Sequence, residues 1–354
     1  MVLFFVIILS FFGYTFAVTQ KKIKINIISA IFFSLAYLLI TGLRGIEVGE
    51  DSVNYFNNYF LLANDFNSIT ELLSRDVVFK ILNYIILLFG SGWYYYAFVM
   101  SSICLLLVTK INNITKNKNS YLFLVLLLTC PIFLENTINI LRTTLCTLTM
   151  FYGYLYLDKN KKSGIFIILL GFGMHYLQGG VLLLLLLLPS RLDFIKTNKR
   201  LNIFIVAIIL FTVLKNFLSF INFDSLLDKL KLLQIILSDD YNSNYTITQI
   251  IGSMDVMSIN LFVQLLLYLL IPLLLINFDK LNFKKKILMN YVLIVIVLYV
   301  FLFPQVSFAI RLIPISLMII TFILTFEINK FTMIYCLSIL TLNLIITFIN
   351  VNSW

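Results

Sequence analysis

Charge is scarce in this chain: only 12% of its 354 residues are Asp, Glu, Lys or Arg. A water-soluble domain carries about twice that share, so a wetted globule is excluded. Histidine occurs once, tryptophan twice and proline five times. The four cysteines, Cys104, Cys130, Cys146 and Cys336, lie inside apolar runs with no CxxC pair and no histidine nearby. They support neither a disulfide framework nor a metal site, and core packing accounts for them. The net charge of +10 has no basic stripe interleaved with aromatics, which sets nucleic acid aside as a partner.

What is abundant is apolar surface. Hydrophobic residues make up 61% of the chain and the mean hydropathy is +1.02. A crossing helix needs roughly 20 apolar residues. Candidate spans are 2–18, 25–43, 91–109, 120–135, 138–157, 164–176, 178–189, 201–220, 258–277, 287–303, 306–326 and 331–350. The first lacks a basic leader and a small-residue cleavage site, so it reads as a retained span. The pair 164–176 and 178–189 is short enough for a tight hairpin. A further stretch, 77–90, ends at Gly90-Ser91-Gly92 and is too short to cross. It reads as re-entrant or interfacial. The expected fold is therefore all-α: one integral membrane domain over 1–354, a bundle of about 12 spans plus that segment.

Lysines and arginines set its orientation. Eighteen of the 26 basic residues fall in loops on one side, while 12 of the 16 acidic residues fall on the other. The positive-inside rule makes the first side cytoplasmic and puts both termini outside. Two long outer loops remain, 44–76 and 221–257, rich in acidic, Asn and aromatic residues. Loops of this length usually act as functional caps. Lys229 to Leu237 has the pattern of a short helix on the membrane surface.

Three arginines stand at similar depth near the outer face: Arg44 at the end of a span, Arg142 roughly 9 Å below a turn at Glu135-Asn136, and Arg311 similarly placed below Pro304-Gln305. A cation inside a span costs about 2.5–3.5 kcal/mol on insertion scales. Each one snorkels, pairs with Glu135, Asp76 or Asp51, or joins the others on an anionic ligand, which a planar guanidinium grips bidentately. Asn139, Arg142 and Cys146 fall on one helical face. His175, in Gly171-Phe-Gly-Met-His-Tyr, is either a packed core residue or a general base. Asp51, in Arg44-Gly-Ile-Glu-Val-Gly-Glu-Asp51, either caps a helix or accepts the proton of a sugar hydroxyl. Trp93-Tyr-Tyr-Tyr96 fits an interfacial aromatic belt.

Taken in order, these segments resemble the signatures of the EpsG-type, Wzy-like bacterial polysaccharide polymerases. Arg44-Gly…Val48-Gly-Glu-Asp51…Tyr55 is similar to their R…VGTD…Y run. Asp76-Val-Val-Phe-Lys-Ile-Leu-Asn83, Asn139-Ile-Leu-Arg142 and Met174-His175 follow their acidic, N-x-x-R and F-H motifs, and Arg311 has a counterpart in a late span. The match is good over about residues 40–180. Glu50, Thr143 and Tyr176-Leu177 depart from the usual pattern.

The resemblance implies glycosyl transfer at the outer face of the bacterial cytoplasmic membrane, with no cofactor and no metal. A glycan on an undecaprenyl pyrophosphate carrier passes to a hydroxyl of an incoming lipid-linked repeat unit. On that expectation His175 or Asp51 serves as base, while Arg44, Arg142, Arg311, Asn139 and Asp76 bind pyrophosphate and glycan. Membrane lipid, a chain-length regulator and a flippase of the same pathway are the implied partners. Two rival readings share the loops and carrier: an outer-face transferase or ligase using a polyprenyl-phosphate sugar, and a flippase or transporter of lipid-linked glycans.

Overall fold

A computed structural model describes residues 27–49, 51–64, 76–114, 120–187, 197–218, 265–302 and 313–326, and most of 332–343. All regular structure among them is helical. The elements are α1 (Ile27–Gly42), α2 (Val77–Leu87), α3 (Trp93–Ile114), α4 (Ser120–Leu128), α5 (Pro131–Asn139) and α6 (Leu141–Tyr156). After them come α7 (Lys161–Met174), α8 (Tyr176–Leu187), α9 (Asn198–Leu218), α10 (Ile271–Leu275), α11 (Phe283–Leu302) and α12 (Ile313–Phe326). Between α1 and α2 a cap is wound in three styles: an α-turn at Ser52–Asn54, a π-helix at Tyr55–Phe60 and a 3₁₀ turn at Leu61–Asn64. The outer loop 221–257, the Lys229 to Leu237 stretch, the first candidate span and both termini lie outside the described residues.

Few of the described helices pass as full-length spans. Among the described residues α3 alone is long and apolar enough to cross unaided, reaching about 33 Å at 1.5 Å per residue. The α4–α5 pair passes the same test together but bends by 64°. Thr129 and Cys130 mark that bend and Pro131 opens α5, where proline's missing N–H costs nothing. Helix α2 has 11 residues and covers about half of a 30 Å hydrocarbon core. The helices described are thus of mixed length, some short or broken, and several of the 12 expected spans fall wholly or partly outside the described residues.

At the centre lies α6, packed against α3, α5, α7, α8 and α12. Every residue from Thr143 to Phe151 is buried. Its closest neighbour is α7. A Cβ on Gly171 would stand 2.9 Å from the Met150 amide nitrogen, and one on Gly153 equally close to the Ile168 nitrogen. Small residues let the two backbones approach where lipid supplies no hydrophobic drive between helices. The outer surface is apolar: Phe89 is 79% exposed, Leu88 62%, Phe166 61% and Ile203 60%, as acyl chains require.

A polar knot fastens the α4–α5 bend to the helical residues around Asn343. The Thr129 hydroxyl donates to Val125 O at 2.8 Å, on the carbonyl that also takes the Thr129 N–H at 3.0 Å. The Asn343 amide reaches Thr129 Oγ1 at 3.4 Å, and Tyr268 OH donates to Asn343 Oδ1 at 2.6 Å. Asn343 is fully buried, so these contacts meet its hydrogen-bonding needs where water cannot.

Candidate functional site

The site begins with two helix interruptions. The first is at Ile140, with φ −122° and ψ 53°, where α5 stops and α6 starts. The turn expected at Glu135-Asn136 is not there; α5 runs through both residues. Thr144 Oγ1 bonds to Asn136 O at 3.0 Å and to Ile140 O at 3.1 Å, bridging the break through two carbonyls that also accept backbone N–H groups. Arg142 therefore sits in the first turn of α6 rather than deep in a continuous span. Asn139 ends the preceding helix, so the stripe Asn139–Arg142–Cys146 is split by the break. The second interruption is His175, a single extended residue between α7 and α8. Its carbonyl accepts from Gly179 N at 2.7 Å and opens α8.

Asp76 joins the two. One carboxylate oxygen takes a short ion pair from the Arg142 guanidinium. The other accepts the Tyr176 N–H at 3.0 Å and stands 3.5 Å from His175 Nδ1. Asp76 is only 4% exposed. It is also the only non-glycine among the described residues with positive φ, at 59°, a conformation costing about 1–3 kcal/mol and often found at functional positions. Burial opposes its charge, but the His175 and Arg142 side chains and the Tyr176 amide outweigh this and hold the carboxyl below its ordinary value. Gly173 makes the junction fit: a Cβ there would meet Val78 Cγ2 at 2.4 Å. Without that gap α2 could not bring Asp76 to the end of α7.

The cap covers this ion pair with aromatic rings. Tyr55 and Tyr59, four apart, lean on Phe79 at 6.0 and 5.6 Å between centroids. They also lie over the Arg142 guanidinium, 5.9 and 4.7 Å from its Cζ. Phe56 and Phe60 point to the other side. Phe60 stacks on Tyr96 at 4.6 Å and Phe56 meets Trp93 edge-on at 5.6 Å. Behind Trp93 stands Arg44, its Cζ 5.2 Å from the indole centroid. Trp93 Nε1 donates to Arg44 O at 2.8 Å, and one Arg44 nitrogen donates to Thr41 O.

Arg44 and Arg142 thus flank one aromatic cluster, and the Tyr96 hydroxyl feels both charges. Trp93 and Tyr96 turn inward, at 9% and 1% exposure. Of the expected aromatic belt, Tyr94 does face outward, at 60%. Their helical i, i+3 spacing in α3 was the sign available that Trp93 and Tyr96 share a face.

Asp51 lies at the start of the cap, its carbonyl taking the Tyr55 N–H at 2.9 Å. The carboxylate beside His175 is that of Asp76. Gly49, with φ +106°, presses the loop onto α5: a Cβ there would lie 2.5 Å from Ile138 Cγ2 and 2.7 Å from Asn139 Oδ1. Asn139 is therefore held beneath this loop. Arg311 lies outside the described residues. All four cysteines are buried free thiols, as core packing requires.

Short and broken helices, an apolar exterior and buried charge gathered between helix ends define a helical membrane protein. The EpsG family model matches residues 25–353. The chain belongs to the EpsG family, which is associated with polysaccharide polymerases. No curated protein and no solved structure matches it.

Proposed function

We propose that this protein polymerises undecaprenyl-pyrophosphate-linked oligosaccharide repeat units at the outer face of the bacterial cytoplasmic membrane. The observation that carries this reading is the single buried carboxylate of Asp76 holding both Arg142 and His175. Glycosyl transfer from a lipid diphosphate needs a proton acceptor for the attacking hydroxyl and positive charge for the leaving group. His175 takes the acceptor proton as the new C1–O bond forms. The bond from C1 to the carrier diphosphate breaks, and guanidinium offsets the charge left on that phosphate. Asp76 orients the imidazole and stabilises the imidazolium. Tyr55 and Tyr59 offer faces on which a sugar ring can stack.

Incubation of the purified protein with lipid-linked repeat units, with products sized on a gel, tests the reading. A ladder spaced by one repeat unit is expected, and His175→Ala should abolish it. Addition of one sugar or one block would favour a transferase or ligase instead. Movement of intact lipid-linked glycan across vesicles without any new covalent product would favour a flippase.

A further inference from the structure

The two arginines flanking the aromatic cluster are electrostatically unlike. Arg142 has an internal counter-ion in Asp76. Arg44 has no carboxylate partner among the described residues, although it is only 8% exposed. One of its nitrogens reaches the Thr41 carbonyl, while Nε is buried with no hydrogen-bond partner. The Tyr96 hydroxyl, in the same field and 1% exposed, also has none. A buried cation without an anion and a buried hydroxyl without a partner each cost free energy, and the Trp93 ring face offsets only part of it. Trp93 links the two, its ring 5.2 Å from Arg44 Cζ and 6.1 Å from the Tyr96 ring, with Phe56 and Phe60 packed on the same cluster.

We infer that Arg44, Tyr96 and the Trp93 ring form a second, separate anion pocket that takes the phosphate of a polyprenyl diphosphate. Guanidinium donates to two phosphate oxygens and the phenol to a third. The cap closes the pocket with Phe56 and Phe60, and the prenyl tail leaves along the apolar exterior. Arg142 then serves the reacting end with Asp76 and His175, while Arg44 grips the phosphate from its own station. The identity of the lipid rests on the polymerase reading; the pocket itself does not.

Trp93 makes the pocket measurable. Replacing the chain's other tryptophan, Trp354→Phe, leaves it as the sole indole reporter. The full chain in phosphatidylcholine nanodiscs is titrated with polyprenyl diphosphate and, separately, with phosphatidylglycerol. The expected result is a saturable change in Trp93 emission with the diphosphate, at least tenfold weaker with phosphatidylglycerol. Arg44→Gln should weaken it at least tenfold, and Arg44→Lys less. Tyr96→Phe guards against misfolding, because it removes only a hydroxyl with no protein partner. It should weaken binding severalfold while leaving the thermal midpoint unchanged or higher.

Wild-type titrations from both Arg44→Gln and Tyr96→Phe would overturn the pocket. Equal saturation by phosphatidylglycerol would overturn the substrate assignment in favour of bilayer phosphate. The two readings fail separately. Unaltered binding with lost polymer in Arg44→Gln sinks this inference alone. Arg44-dependent binding in a protein that makes no ladder sinks the polymerase reading alone.

Discussion

The Asp76 carboxylate takes the backbone N–H of Tyr176 at 3.0 Å across 100 positions of sequence. That bond ties the residue that opens α2 to the positive end of α8, where an anion is favoured. It fixes His175 as well, because Tyr176 is its neighbour. The link is structural before it is chemical.

Removing Asp76 should therefore unfold as well as inactivate. Asp76→Ala leaves Arg142 buried without its counter-ion, and breaking such a pair costs about 3–5 kcal/mol. Thermal unfolding in detergent should show the loss. The double variant Asp76→Ala/Arg142→Met should recover part of it, and purely additive losses would argue against coupling.

Arg142 should separate charge from geometry. Arg142→Ala should abolish polymer while the protein still reaches the membrane fraction. Arg142→Lys keeps the charge but loses the planar fork, so it should restore a fraction of the product. Full-length polymer from the alanine variant would remove Arg142 from the mechanism.

Acid should act through Asp76 in a defined window. Its carboxyl is held below the ordinary 3.8, so the stability it contributes is complete above that value and disappears as pH falls through the depressed one. The stability gap between wild type and Asp76→Asn should stay level from neutrality to about pH 4 and close below it. A gap that closes between pH 8 and 5 would mean that another group is titrating.

Two glycines should respond in opposite ways. Gly49→Ala forces a side chain into a left-handed backbone already crowded by Ile138, Asn139 and Ser52, at a cost of about 1–3 kcal/mol. A Cβ on Gly92 meets nothing within 4 Å, so Gly92→Ala should leave unfolding within about 0.5 kcal/mol of wild type. Equal melting curves for the two variants would contradict the seating of the loop on α5.

Much of this site was legible in the sequence because charge in an apolar chain is conspicuous. Arg44, Arg142, His175 and Asp76 all stood out as polar residues needing a reason. Pairing of Arg142 with Asp76 was one of the readings left open; what escaped was His175 on the same carboxylate. The link from Asp76 to His175 depends on the fit of Gly173 against Val78, which no local pattern encodes. Nor does Ile140 advertise a helix break: it lies in Asn-Ile-Leu with neither proline nor glycine beside it, and Thr144 bridges it from the next turn. Trp93 and Tyr96 were hidden by their chemistry, since the same rings suit a membrane interface or a buried cluster. The bend at Thr129 was hidden too, because hydropathy registers an apolar run and is blind to a break within it.

The Asn343 knot also has a bearing on time. Its amide meets Thr129 from 214 positions further along the chain. The kink in α4–α5 therefore cannot lock while the ribosome is still delivering the second half of the chain. Until then the nascent protein must hold an unfinished bundle in the bilayer.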